Sequence, residues 1–227
     1  MGNFFNAQNG IFRIFGKITD ILWVSFLWVI CCIPIITIGP ATTALYHTSY
    51  KCIRRNQQGS LAADFFGVFK SNFKVSTISG IIAEVILVVT YIGSDAFVHN
   101  FNGQNIGVIG AYAFFILFVF FVGVFCYMFP VLSRFSFEVG GLFAISLKLA
   151  IRHILSTIIL LIFVAGSVAM IIMYWIPAFF MPALCALASS FVLEPIFNKY
   201  TPTPQEVEVI QDENQDIWDE LDNASNS

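Results

Sequence analysis

Forty consecutive residues, Ile154 to Leu193, contain no Asp, Glu, Lys, Arg or His. Wound as one helix, that stretch would be about 60 Å long at ~1.5 Å per residue. A bilayer's hydrocarbon core is roughly 30 Å thick. The stretch must therefore fold back, as two spans or as one span and a buried hairpin. Composition excludes a water-soluble domain on separate grounds. Only 11% of the residues are charged and 58% are hydrophobic, against about 25% and about 45–50% in soluble domains. So apolar a chain could not cover its own surface with polar groups.

The same reading places the other elements. Apolar runs predict spans over residues 21–38, 76–94, 106–132, 154–175 and 178–197. The expected fold is an all-α, multi-pass protein of the cell membrane with about five transmembrane helices in residues 21–200. Residues 1–20 mix Phe4, Phe5, Ile11, Phe12, Ile14, Phe15 and Ile18 with Arg13, Lys17 and Asp20. They read as an amphipathic segment lying in the membrane interface. A cleaved signal peptide is not expected, because the apolar run exceeds the roughly 7–15 residues of a signal core.

Prolines and small residues punctuate the first span. Pro34 removes a backbone donor and predicts a kink. Gly39-Pro40 predicts the end or redirection of that helix. Ala41-Thr42-Thr43-Ala44 then offers small side chains that permit close helix approach. Pro130 sits near the end of the third span.

Charge sets the expected orientation. Lys51, Arg54, Arg55, Lys70 and Lys74 fall between the first two spans, and Arg134, Lys148 and Arg152 between the third and fourth. The loop at 95–105 has no Lys or Arg. The positive-inside rule makes the first two regions cytoplasmic and the third external. Five spans then leave Arg13 and Lys17 outside. A re-entrant residues 21–40 segment, hinged at Pro34 and Gly39-Pro40, would bring all eleven bases inside. The five-span form with an external N-terminus is the preferred expectation.

Leu61, Phe65, Phe66, Phe69 and Phe73 share one helical face, with Asp64, Lys70 and Lys74 opposite. This predicts an amphipathic helix on the cytoplasmic membrane surface, anionic lipid being the ordinary partner of its bases. Docking to a protein partner is the alternative. The pairs Lys70/Lys74 and Lys148/Arg152 each stand four residues apart just before an apolar run, which predicts a two-fold internal repeat. The tail, 201–227, holds eight of the 14 acidic residues and is expected to be a disordered cytoplasmic segment.

Little in the chain carries chemistry. Glu84 is the one acid or base deep inside an apolar span. Such a residue marks a pathway or pairs within the bundle. His47, His99 and His153 have no metal-ligand spacing. The five cysteines show neither metal nor scaffold spacing, and Cys31-Cys32 reads as a pair of small packing residues. Gly140-Gly141 reads as a turn. No phosphate, dinucleotide, hydrolase or zinc-protease fingerprint is present in the sequence. No enzyme activity, cofactor, metal or nucleic-acid partner is expected, and oligomeric state stays open.

Gly39-Pro40-Ala41-Thr42-Thr43-Ala44-Leu45-Tyr46, followed by Phe66-x-x-Phe69-Lys70-x-Asn72-Phe73-Lys74, resembles the YesL-like family of bacterial integral membrane proteins. Pro130-x-x-Ser-Arg134-Phe135 agrees with it. The resemblance covers most of residues 1–200. It implies no defined activity, and it implies an accessory role beside carbohydrate transport systems. A small transporter or channel with Glu84 lining the path is the alternative expectation.

Overall fold

The computed structural model describes residues 2–54, 60–100, 105–174 and 176–200. All regular structure among them is helical. The elements are α1 (Gly2–Cys31), α2 (Ile38–Thr48), α3 (Leu61–Ser71), α4 (Phe73–Asn100), α5 (Asn105–Arg134), α6 (Val139–Arg152), α7 (Ile154–Met173) and α8 (Met181–Asn198). Short 3-10 turns at Ile35–Thr37 and Ile176–Phe179 and a π-turn at Ser49–Arg54 complete the set. Four helical stretches among the described residues are long and apolar enough to cross a membrane: Phe73–His99, Gly107–Arg134, Ile154–Met173 and Met181–Asn198. One compact unit extends to Val192, and a second begins at Leu193, where α8 continues through Pro195 to Asn198.

The start of the chain differs from expectation. α1 runs unbroken across Asp20, so the N-terminal segment and the first apolar run are one helix. That helix stops at Cys31, and Pro34 stands in extended backbone just ahead of the 3-10 turn. Thr37 Oγ1 caps the break on the carbonyls of Cys31 and Pro34. Gly39 and Pro40 do not end a helix; they lie in the first turn of α2. A proline is tolerated there because a first-turn N–H has no helical partner to lose. Of the two expected hinge positions, Pro34 lies at the break and Gly39-Pro40 lies inside α2.

α1 and α2 form an antiparallel hairpin. Trp28, near the break, donates from Nε1 to Thr42 Oγ1 at 3.3 Å. Farther from the break, Ile21 and Val24 pack with Ala44, Leu45 and Phe65. The π-turn beyond α2 also meets α1. The beginning of α1 thus lies toward the same end of the molecule as Lys51 and Arg54.

α2 is the hub, with nearly every residue from Gly39 to Tyr50 buried. It packs against α1, α3, α4 and α5. Its contact with α4 depends on missing side chains. A Cβ on Gly39 would lie 2.3 Å from the Ser76 carbonyl oxygen, and one on Gly80 3.2 Å from Gly39 Cα. The backbones touch, as small residues at i and i+4 on both helices permit. Thr43 and Ser76 hydroxyls then bond across at 3.3 Å.

α5 is the second helix with several packing neighbours. It packs on α6 and α7 as α2 packs on α3 and α4, and α2 meets α5. A Cβ on Gly123 would lie 2.8 Å from Thr157 Cγ2, and Tyr127 OH reaches Thr157 Oγ1 at 3.1 Å. Each amphipathic helix joins its following span through one non-helical residue: Asn72 (φ −101, ψ 6) between α3 and α4, His153 (φ −118, ψ 53) between α6 and α7. Ser76 and Thr157, the hydroxyls four residues past those joints, are the ones that bond to the core helices.

Other boundaries shift too. The spans expected at 76–94, 106–132, 154–175 and 178–197 are α4, α5, α7 and α8. α5 passes straight through Pro130 to Arg134. Gly140-Gly141 lies in the first turn of α6, not in a separate turn. The 201–227 tail and the turn at 57–59 lie outside the described residues.

Candidate functional site

The tip of the α1–α2 hairpin meets the middle of α4. Glu84 is the twelfth residue of α4, about 16 Å along the helix axis. That is about half the roughly 30 Å of bilayer hydrocarbon. Its carboxyl is near enough to Cys32, in the hairpin break, to act on that thiol electrostatically. The 3-10 turn packs on α4, and Ile33, Ile35 and Ile36 around it are exposed. Irregular backbone within an apolar layer is tolerated only when its polar groups are bonded or face a wet cavity. Thr37 supplies part of that bonding. Glu84, half-buried, is the ionisable group that faces the break from α4.

Of the expected hinge and packing residues, Gly39, Pro40, Thr42 and Thr43 gather on α2 and Pro34 at the tip. Pro130 lies on α5, buried and facing an apolar cavity shared with Thr42. Thr42 and Thr43 divide the work: Thr42 binds α1 through Trp28, and Thr43 binds α4 through Ser76.

The opposite end of α2 collects bases. Lys51 Nζ donates to Asp64 Oδ1 at 2.8 Å, pinning the π-turn to α3. The Arg54 guanidinium donates to the Ser190 carbonyl and hydroxyl and stacks over Phe191 at 4.2 Å. Arg54 and Arg134 both lie over the Tyr50 ring, at 5.7 and 5.2 Å. His47 Nδ1 donates to the Ser133 carbonyl at 3.2 Å and ties α2 to the end of α5. Burial pushes the His47 pKa down, with Lys51 and Arg134 adding to that, while the Ser133 bond and Asp64 oppose it.

These contacts separate the eight expected surface bases into two kinds. Lys51, Arg54 and Arg134 are engaged within the protein. Lys70, Lys74 and Lys148 are exposed, on or beside α3 and α6, and Arg152 is exposed at the end of α6 without belonging to either kind on exposure alone. Arg55 lies outside the described residues. Asp64, expected on the far face of α3, turns to Lys51, and Phe65 is fully buried against α1 and α2. α3 is therefore docked on the protein as well as amphipathic.

Sequence reasoning missed Tyr50, Ser76, Gly80, Tyr127, Thr157 and Ser190. A signal existed for two of them: Ser76 and Gly80 stand four apart, as Gly39 and Thr43 do. No local pattern announces that two guanidinium groups will lie over the Tyr50 ring. Among the described residues, no group of three or more His, Cys, Asp or Glu side chains could hold a metal.

Residues 20–94 match the model of a family described as "Protein of unknown function, DUF624". That segment starts before the hairpin tip and ends beyond Glu84. It therefore takes in α2, α3, the α2–α4 crossing and the tip in one piece. Comparison with curated proteins and with solved structures finds no match.

Proposed function

We propose that the protein is a non-enzymatic accessory or regulatory component of the bacterial cell membrane, YesL-like, standing beside a carbohydrate transporter. The observation that supports this reading best is the use made of its polar side chains. Inside the helices they hold helices together: Trp28 to Thr42, Thr43 to Ser76, Tyr127 to Thr157, and Ala183 N–H to Ser25 Oγ at 3.2 Å. Exposed charge is displayed by Lys70, Lys74 and Lys148 on or beside α3 and α6, suited to anionic lipid and to a partner's cytoplasmic face.

In this reading the topology is four spans and a re-entrant hairpin. The hairpin replaces the expected fifth span, returns the N-terminus to the cytoplasm, and puts all eleven bases on one side. The units α2–α3–α4 and α5–α6–α7 are two copies of one plan, supported by their matched joints and hydroxyl bridges. Mild-detergent pull-down from native membranes tests the function. A carbohydrate permease should copurify, and its consistent absence would count against the reading.

One observation favours a second reading, a small transporter or channel. Broken helices whose tips meet an ionisable group near mid-membrane are a recurrent way to build a transport site. Glu84 opposite the hairpin break has that form. Glu84→Gln keeps size and most hydrogen bonding but cannot ionise. If Glu84 lines a path, the variant should fold normally and lose liposome uptake. If Glu84 only packs, melting and copurification should both be unchanged.

A further inference from the structure

An apolar cavity of about 280 Å³ lies between α1, α2, α5, α7 and α8. Its walls on the last two helices are regular stripes: Val164, Ser167, Val168 and Ile171 on α7, and Pro182, Cys185, Ala186 and Ser189 on α8. Each stripe covers seven residue steps, about 10 Å of helix, so the space is a slot that follows the helices. Trp28 and Phe129 are among the residues that close its inner side. Its polar atoms are largely spent. Thr42 Oγ1 accepts from Trp28 and donates to the Ile38 carbonyl, and Ser167 Oγ donates to the Phe163 carbonyl at 2.7 Å. A ligand rich in hydrogen-bonding groups would lose its water there and find few partners. Apolar cavities of roughly 150 Å³ already take up small hydrocarbons, and this one is larger.

The bilayer itself supplies the matching chemistry. α7 is the least buried of the four candidate spans, with 6% of its apolar window inside the protein. Leu155, Ile162 and Ile172 on it are widely exposed. The apolar surface of α7 therefore runs without a polar border from the lipid-facing side into the slot. We propose that the slot between α7 and α8 is a binding site for one acyl chain of a membrane phospholipid, held as part of the folded protein rather than exchanged with bulk lipid.

Trp28 is a built-in reporter. In full-length protein with Trp23, Trp175 and Trp218 changed to Phe, lipid is exchanged for phospholipid with brominated acyl chains. The sample is then washed in lipid-free detergent. A seated chain keeps Trp28 quenched after washing, whereas loosely associated lipid leaves. Ser167→Phe projects a ring into the slot and should abolish the residual quenching. Gly166→Phe, where a Cβ meets nothing within 4 Å, should leave it intact. Full recovery of Trp28 emission on washing would overturn the proposal, as would equal quenching in Ser167→Phe. Should Ser167→Phe fail to fold, native mass spectrometry of the unaltered protein decides: one retained phospholipid supports the slot, and none refutes it.

Discussion

Gly39 carries more of this fold than its size implies. Its missing side chain lets α2 lie on the Ser76 carbonyl, and a Cβ 2.3 Å from that oxygen has no room. Backbone cannot swing aside as a flexible side chain can. Gly39→Leu should cost about 1–3 kcal/mol or more, the range for overpacking, read as a fall in detergent melting temperature. Gly67, exposed on α3 with nothing near its Cβ position, is the opposite case. Gly67→Ala should stabilise the helix by about 0.5–1 kcal/mol, and lower melting there would contradict the packing described. His47 adds a pH dependence. Its folded pKa is below the ordinary 6.5 because burial disfavours the imidazolium, so the unfolded chain binds more protons near and below that value. Stability should decline as pH falls through about 6.5 toward the lowered folded value. His47→Gln should flatten that decline, and an unchanged slope would remove His47 as its source.

At the scale of elements, the hairpin and the α4–α5 pair do most of the organising. α4 and α5 interlock ring into glycine, Phe114 over Gly93 and Phe97 over Gly110, with the two rings 5.5 Å apart. A Cβ on Gly110 would stand 2.2 Å from Phe97 Cδ1. Gly110→Val should therefore separate the adjoining ends of α4 and α5 and lower the melting temperature, and tolerance would show that the rings have space to turn. The four long helices were legible from run length and lack of charge alone, because lipid selects on those properties. The hairpin was legible only as an alternative. Pro34 marks a break, but a break followed by more apolar residues looks the same whether the chain goes on or turns back. What decides it is pairing at a distance, Trp28 with Thr42 and Val24 with Leu45, which no window of sequence contains. For the same reason Gly39-Pro40 was misplaced as a hinge: a proline's effect depends on its position in the helix, and in the first turn it is harmless.

For the whole molecule, the proposed topology brings the charge distribution and the backbone into agreement. Eleven bases fall on one side only if α1 enters and leaves by the cytoplasmic face. The match over residues 20–94 takes in the turn and α2 of this hairpin together with α3 and most of α4. Glu84 was legible as an isolated acid, but its neighbour across the break was not, since Cys32 and Glu84 are 52 positions apart. The most direct test is the side of Gly16. It is exposed, open around its Cβ position, and sixteen residues before the break at Cys32. A single cysteine there, in a chain otherwise free of cysteine, is treated with a membrane-impermeant thiol reagent. The re-entrant hairpin predicts no labelling in intact cells and full labelling after permeabilisation, matching a cysteine at Gly141. Labelling in intact cells would place the N-terminus outside, make α1 a true span, and contradict the hairpin topology.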